Sequence, residues 1–208
     1  FTKFNKKFVG NFGDISTFSF FANKLITTGE GGMCTTNNRA YSKKIRISSS
    51  HGMSVSKKYW HIQEGFNHRM TSLQAVIGIT MLKESNKFIR QREFNNKYYL
   101  NFFLKKDYFD FINPYVGDNP VVWYFPFLLK NKFIKLKNKL IKHLNIKKIE
   151  TRNFFYPLDS MKIFSKKKYC KNAEFISKKG FYLPVDPTLN VKKLNYICKS
   201  IDEFFEKI

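Results

Sequence analysis

The chain has 208 residues, 43% of them hydrophobic with 24 Phe and 11 Tyr, so it is long and apolar enough to bury a core. Its formal charge is +23, yet only six of its 38 basic residues are Arg, and the lysines are spread along the chain rather than gathered in one stripe. That distribution speaks against specific nucleic-acid recognition, which leans on arginine forks, and still favours the approach of a phosphorylated substrate.

No stretch approaches the roughly 18 apolar residues of a membrane helix, and no signal peptide is read. Three widely spaced cysteines, Cys34, Cys170 and Cys198, lack metal-ligand spacing. Reduced thiols in a cytoplasmic protein, without membrane or metal, are the expectation.

In chain order, "DISTFSFF" (14–21) reads as a largely buried strand and "GMCTT" (32–36) as a second, adjacent one. The link between them holds Asn23, Lys24, Gly29, Gly31 and Gly32, and its glycines predict a tight turn. Residues 37–48 read as a helix with an Asn cap, and 48–69 as a long loop rich in Ser, Gly and His, a length usually tied to function or motion. "TSLQ" resembles a capping box at Thr71 and Gln74. Leu73, Val76, Ile77, Thr80 and Met81 then follow helical spacing, Ser85 and Asn86 interrupt it, and a second helix runs from Lys87 towards Leu104. Beyond it, 121–129 reads as a strand, 131–144 as an amphipathic helix, 146–152 as a strand and 190–208 as a closing helix. The order from residue 105 is that of a small α/β unit.

Lys24 stands between an aromatic run and a glycine turn. A lysine that attacks a carbonyl needs a confined, water-poor setting. Phe18, Phe20 and Phe21 would exclude water, and Glu30 is the only acid of the turn. From the residues alone, a nucleophile and a solvated hairpin lysine both remain open. His51 and His61 are either cleft residues or ordinary surface histidines.

"GDISTFSFFANKLITTGEGGMCTTNN" resembles the active-site segment of the DegT/DnrJ/StrS-type sugar aminotransferases, pyridoxal-phosphate enzymes that aminate keto sugars attached to nucleotides. The similarity continues through "HGMSVSKKYWHIQEGFNHRMTSLQAVIGITML" and resumes at "IETRNFFYPLDSM" and "GFYLPVDPTL". It implies an α/β fold: the C-terminal part of a fold-type I aminotransferase, with residues 1–100 ending an incomplete, cofactor-binding large domain and 101–208 forming a small C-terminal domain.

The resemblance also implies roles. Lys24 would hold pyridoxal 5'-phosphate covalently, and Ser19 would hydrogen-bond its phosphate. Asn67 matches an asparagine that reaches the cofactor phosphate of a neighbouring subunit, so a homodimer is implied. Phe66 and His68 replace two tyrosines beside it. Arg152 and His61 would border the substrate cleft. The substrates would be a nucleotide-linked keto sugar and an amino-acid donor, glutamate in most of the family. A dehydratase relative carries His at the lysine position, so Lys24 implies transamination. The phosphate-binding helix, the ring-stacking aromatic and the aspartate facing the pyridine nitrogen are implied in a preceding half; the chain opens on Phe1, and by itself it is expected not to be competent. An inactive remnant acting as a partner subunit, and a basic nucleic-acid-binding protein, stand as alternatives.

Overall fold

The computed structural model describes residues 1–111, 120–164 and 170–208. They form two compact units: residues 1–88 with Pro120 and Val121, and the described residues from 89 onward apart from those two. The sequence reading put the division at 100. It falls at Phe88–Ile89 because the helix that follows sends Tyr99 and Phe103 into the core of the second unit.

The first unit starts with two short hairpins. β1 (Lys3–Phe4) pairs with β2 (Lys7–Phe8), and β3 (Ser16–Ser19) pairs antiparallel with β4 (Gly32–Thr35). The strand at 14–21 is therefore present but shorter, and it is not largely buried: Ile15, Phe18 and Phe21 are exposed. A two-stranded ribbon has faces that nothing within the unit covers.

α1 (Arg39–Ser49) starts where the Asn38 side chain accepts the N–H groups of Ala40 and Tyr41, which satisfies two of the orphan donors of the first turn. α2 (Ser72–Lys83) opens on the full reciprocal box: Thr71 Oγ1 accepts Gln74 N–H at 3.2 Å, and Gln74 Oε1 accepts Thr71 N–H at 2.9 Å. The apolar side chains of α2 point outward, however. Leu73 is 79% exposed and Val76 62%, and the half-buried positions are Gln74, Ala75, Gly78 and Met81. Of the apolar side chains described in this unit, only Ile47 is buried.

The second unit has a core of its own. α3 (Ser85–Phe103), which joins this unit from Ile89 on, begins two residues before the expected start. It is followed by β5 (Phe109–Asp110), β6 (Phe125–Leu129), α4 (Lys137–Ile146), β7 (Arg152–Asn153), α5 (Lys171–Lys179), β8 (Gly180–Leu183) and α6 (Val191–Phe205). The sheet order is β5-β6-β8-β7, antiparallel throughout. Phe125, Phe127, Phe181 and Leu183 form one buried cluster with Tyr99 and Phe103 of α3, Leu140 and Leu144 of α4, and Leu194, Ile197, Cys198 and Ile201 of α6.

The helix expected over 131–144 starts as a 3-10 turn at Asn131–Leu136 before α4. The strand expected over 146–152 shrinks to β7. The cause is local: Lys148 adopts φ +57°, and the N–H groups of Lys148 and Ile149 return to the carbonyls of Asn145 and Leu144. That is the Schellman closure of a helix, and it takes up the residues the strand would have used. Among the described residues no helix is long and apolar enough to cross a membrane.

Candidate active site

The register of the β3–β4 ribbon sets Ser19 opposite Gly32, so the chain must reverse between them. It does so in a loop closed at its base by Phe20 N–H to Gly31 carbonyl at 2.9 Å. The Phe20 carbonyl accepts Thr28 N–H at 2.9 Å and the Thr27 hydroxyl at 3.2 Å. Inside this closure Lys24 N–H donates to the Phe21 carbonyl at 2.9 Å, which folds residues 21–24 into a tight turn. Lys24 is half-buried and Ser19 exposed. Ser19 Oγ accepts Phe21 N–H at 3.3 Å, so the hydroxyl keeps its own proton to donate.

Thr28 anchors the loop. It is buried, and its Oγ1 donates to the Glu30 carbonyl at 2.6 Å. Gly31, at φ +150°, lies so close that a Cβ there would meet Thr28 Oγ1 at 2.5 Å. Gly78 of α2 lets the helix come against the Thr28 methyl, where a Cβ would sit 2.9 Å from Cγ2. Gln74 adds a second tie, its Nε2 donating to the Glu30 carbonyl at 3.0 Å. In the sequence Gln74 reads as a cap alone, with neither its tie to the turn nor the role of Thr28 visible. The small residue Gly78 inside an otherwise apolar helix was the available signal.

The long loop at 48–69 is organised by two glycines that cross backbone to backbone. A Cβ on Gly52 would fall 1.9 Å from the Gln63 carbonyl oxygen, and one on Gly65 would fall 2.1 Å from the Gly52 nitrogen. Bridges join Ser50 to Asn67 and Met53 to His61. Asn67 is exposed, and its Oδ1 accepts Arg69 Nε–H at 3.0 Å. Phe66 and His68, on either side of it, stack on each other with centroids 5.1 Å apart. His61 Nδ1 pairs with the His51 carbonyl at 2.8 Å.

Arg152 belongs to the second unit. It lies on β7, 3.7 Å from Glu150, with Cζ 5.4 Å from the centre of the Tyr124 ring. The structure thus brings Ser19 and Lys24 onto one closed loop, puts Asn67 and His61 on the neighbouring loop of the same unit, and leaves Arg152 on the other unit.

The mixed α/β chain, with its small antiparallel-sheet unit, has the fold of part of a fold-type I aminotransferase. The model of the DegT/DnrJ/EryC1/StrS aminotransferase family matches residues 2–202, and the chain belongs to that family, which is pyridoxal-phosphate-dependent. GDP-perosamine synthase of Escherichia coli O157:H7 is 39% identical over 208 residues, covering 98% of this chain and 55% of that protein. GDP-perosamine synthase of Vibrio cholerae is 32% identical, with 100% and 57% covered. Among solved structures, Helicobacter pylori PseC, an aminotransferase involved in the biosynthesis of pseudoaminic acid, superimposes with a TM-score of 0.91 at 27% identity, over 99% of this chain and 57% of that one. The chain spans about half the length of the relatives it matches.

Proposed function

We propose that these residues carry the lysine-bearing part of an aminotransferase that converts a keto sugar of a nucleotide sugar into an amino sugar, with perosamine on a GDP carrier as the product class. The observation that carries this reading is the closed loop that bears Lys24 and starts at Ser19, within the family match. The stretches "HGM…YWH" and "FFYPL", together with the perosamine synthases among the relatives, favour the GDP sugar.

The residues fit pyridoxal phosphate. Lys24 stands half-buried on a short, fixed turn, a placement that suits a covalent anchor. The Ser19 O–H is left to donate to a phosphate oxygen. When bound, the cofactor supplies an electron sink for the bond broken at the donor's α-carbon. Lys24 Nζ would be the base that takes the proton from that carbon and the acid that returns one, so a single side chain would both anchor and shuttle. Asn67 reaches the phosphate in the site of a second subunit, which makes the working form a dimer with two shared sites. Arg152, on the second unit, and His61, on the first, are each a candidate contact to the sugar nucleotide. Surfaces from outside these residues cover α2 and the β3–β4 ribbon and complete the site.

Borohydride reduction of the complete protein with pyridoxal phosphate tests this reading. The trapped adduct is expected on Lys24. Lys24→Ala abolishes adduct and turnover, whereas Lys43→Ala, on the exposed side of α1, keeps both. Trapping at another lysine with normal turnover overturns the assignment.

A further inference from the structure

Arg92 is an unusual residue to find inside the second unit. It is only 9% exposed, and burial lowers its pKa against the opposing pull of Asp186 and Tyr124. It sits on α3 and makes no salt bridge among the described residues. Its Nη1 donates to two consecutive carbonyls, Val122 at 3.4 Å and Trp123 at 3.3 Å, while Nε is buried without a hydrogen-bond partner there. A buried guanidinium spent on two main-chain oxygens calls for a reason beyond packing, since an apolar side chain would fill the space without the desolvation. It has a structural consequence: the peptide immediately before Tyr124 is held from inside the molecule.

What Tyr124 does is visible from the sheet register. Pro126 faces Tyr182, and Arg152 faces Tyr182, so these three share one face of the sheet, and Tyr124, two residues before Pro126, continues the row. The Tyr124 ring lies 5.4 Å from the Tyr182 ring and 5.4 Å from Arg152 Cζ; the Tyr182 ring lies 4.4 Å from Phe154. Arg152, whose only ion pair among the described residues is the 3.7 Å approach to Glu150, is thus steered by an aromatic row. The same helix secures the row's other flank. Gln91 donates to the Leu189 carbonyl, Asn95 to those of Val185 and Asp186, and Tyr99 to that of Pro184, just beyond Tyr182.

We propose that Arg92 is a positioning residue for substrate binding: by fixing the Val122–Trp123 backbone it sets the Tyr124 ring against the Arg152 guanidinium, and so aims that guanidinium at a phosphate of the nucleotide sugar. The proposal rests on the reading of Arg152 as a substrate-binding residue. Its partner chemistry is a nucleoside diphosphate, which a guanidinium recognises through paired hydrogen bonds.

The test is a double-mutant cycle in the complete protein, read both by calorimetric binding of guanosine diphosphate and by steady-state kinetics. Arg152→Gln and Arg92→Met are each expected to raise the Kd for guanosine diphosphate and the KM for the nucleotide sugar by about tenfold, with kcat and the donor KM within about twofold. The double variant is expected to remain near tenfold, because both changes remove one interaction. Arg92→Lys is expected to recover most of the loss. If Arg92→Met does not fold, the cycle runs with Arg92→Gln. An additive double variant near a hundredfold, or an Arg92 variant that lowers kcat and leaves the Kd unchanged, overturns the positioning role while leaving Arg152 in place. An Arg152→Gln protein with unchanged Kd and KM overturns the substrate role of Arg152 and the proposal with it.

Discussion

Placing a methyl group on Gly31 tests the loop that carries Lys24. The residue has φ +150°, and its added Cβ would lie 2.5 Å from Thr28 Oγ1, 3.2 Å from Met70 Cε and 3.7 Å from Phe20 Cβ. Met70 can swing away, since Cε is the far end of a flexible chain. Thr28 cannot: it is buried, its N–H is committed to the Phe20 carbonyl, and its methyl lies under Gly78. Gly31→Ala therefore strains the backbone, for about 1–3 kcal/mol, and disrupts the hydrogen bond from Thr28 to the Glu30 carbonyl, for about 1 kcal/mol. The sum, roughly 2–4 kcal/mol, depopulates the closed loop about thirty- to thousand-fold. Gly29 is the control. It too has positive φ, +78°, but a Cβ there meets nothing within 4 Å, so Gly29→Ala costs only the conformational strain, about 1–2 kcal/mol. Hydrogen exchange of the Thr28 amide and the rate of borohydride trapping at Lys24 both report the closed loop. Exchange is expected to be faster in Gly31→Ala than in Gly29→Ala by about tenfold, with trapping slowed in parallel. Equal behaviour of the two variants would show that contact with Thr28 does not hold the turn.

Two further expectations concern stability and assembly. Asp110 is held below its ordinary carboxylate value of 3.8, chiefly by the hydrogen bond from the buried Lys179, against the opposing effect of burial. A depressed carboxylate stabilises the fold fully above its unfolded value and loses that contribution as pH falls through its folded value, so Asp110→Asn is expected to lower stability at neutral pH and flatten the acid limb below about pH 4 in urea titrations; an unchanged limb would show that the pair contributes nothing. Leu73, Val76 and Ile79 are all exposed on α2, so residues 1–208 by themselves are expected to associate in sedimentation, and changing all three to Lys is expected to suppress it; a compact monomer before any change, unfolding cooperatively, would refute the need for a covering surface.

The helices were legible because their ends are written in side chains: Asn38, the Thr71–Gln74 box, and the apolar stripe of α6. Which side of α2 faces inward was not legible. Leu73, Val76, Ile77, Ile79 and Leu82 surround the helix, so the periodicity gives a helix without a direction, and only Gly78 marks the inner side. The sequence pattern shows no helix at α5, and the stretch that holds β8 enters only as part of the family resemblance. Lys179, a charged residue at a buried position, breaks the apolar pattern there, and its partner Asp110 lies 69 residues away. Arg92 was invisible for a related reason: in "FIRQREFNN" it looks no different from Arg90, and only the fold shows which of the two is buried.

These misreadings share a physical origin that bears on the site itself. The pattern "DISTFSFF" reads as a buried strand because its aromatics suit a covered sheet, yet in the unit that holds Ser19, Lys24 and Asn67 only Ile47 is buried among the described apolar side chains. The second unit closes its own core around Phe127 and Ile201. A sequence selected to be covered on α2 and β3 has to be written with apolar residues at those positions, whatever supplies the cover. The closed turn at Lys24 is therefore fixed locally, by glycines and Thr28, while shielding of the half-buried Lys24 beyond that would have to come from a covering surface. Local closure with only partial shielding predicts a lysine that is well placed before assembly and more reactive after it. Trapping at Lys24 should thus rise with assembly while Thr28 amide protection changes little, and protection that rises in step with trapping would show that the turn itself forms on assembly.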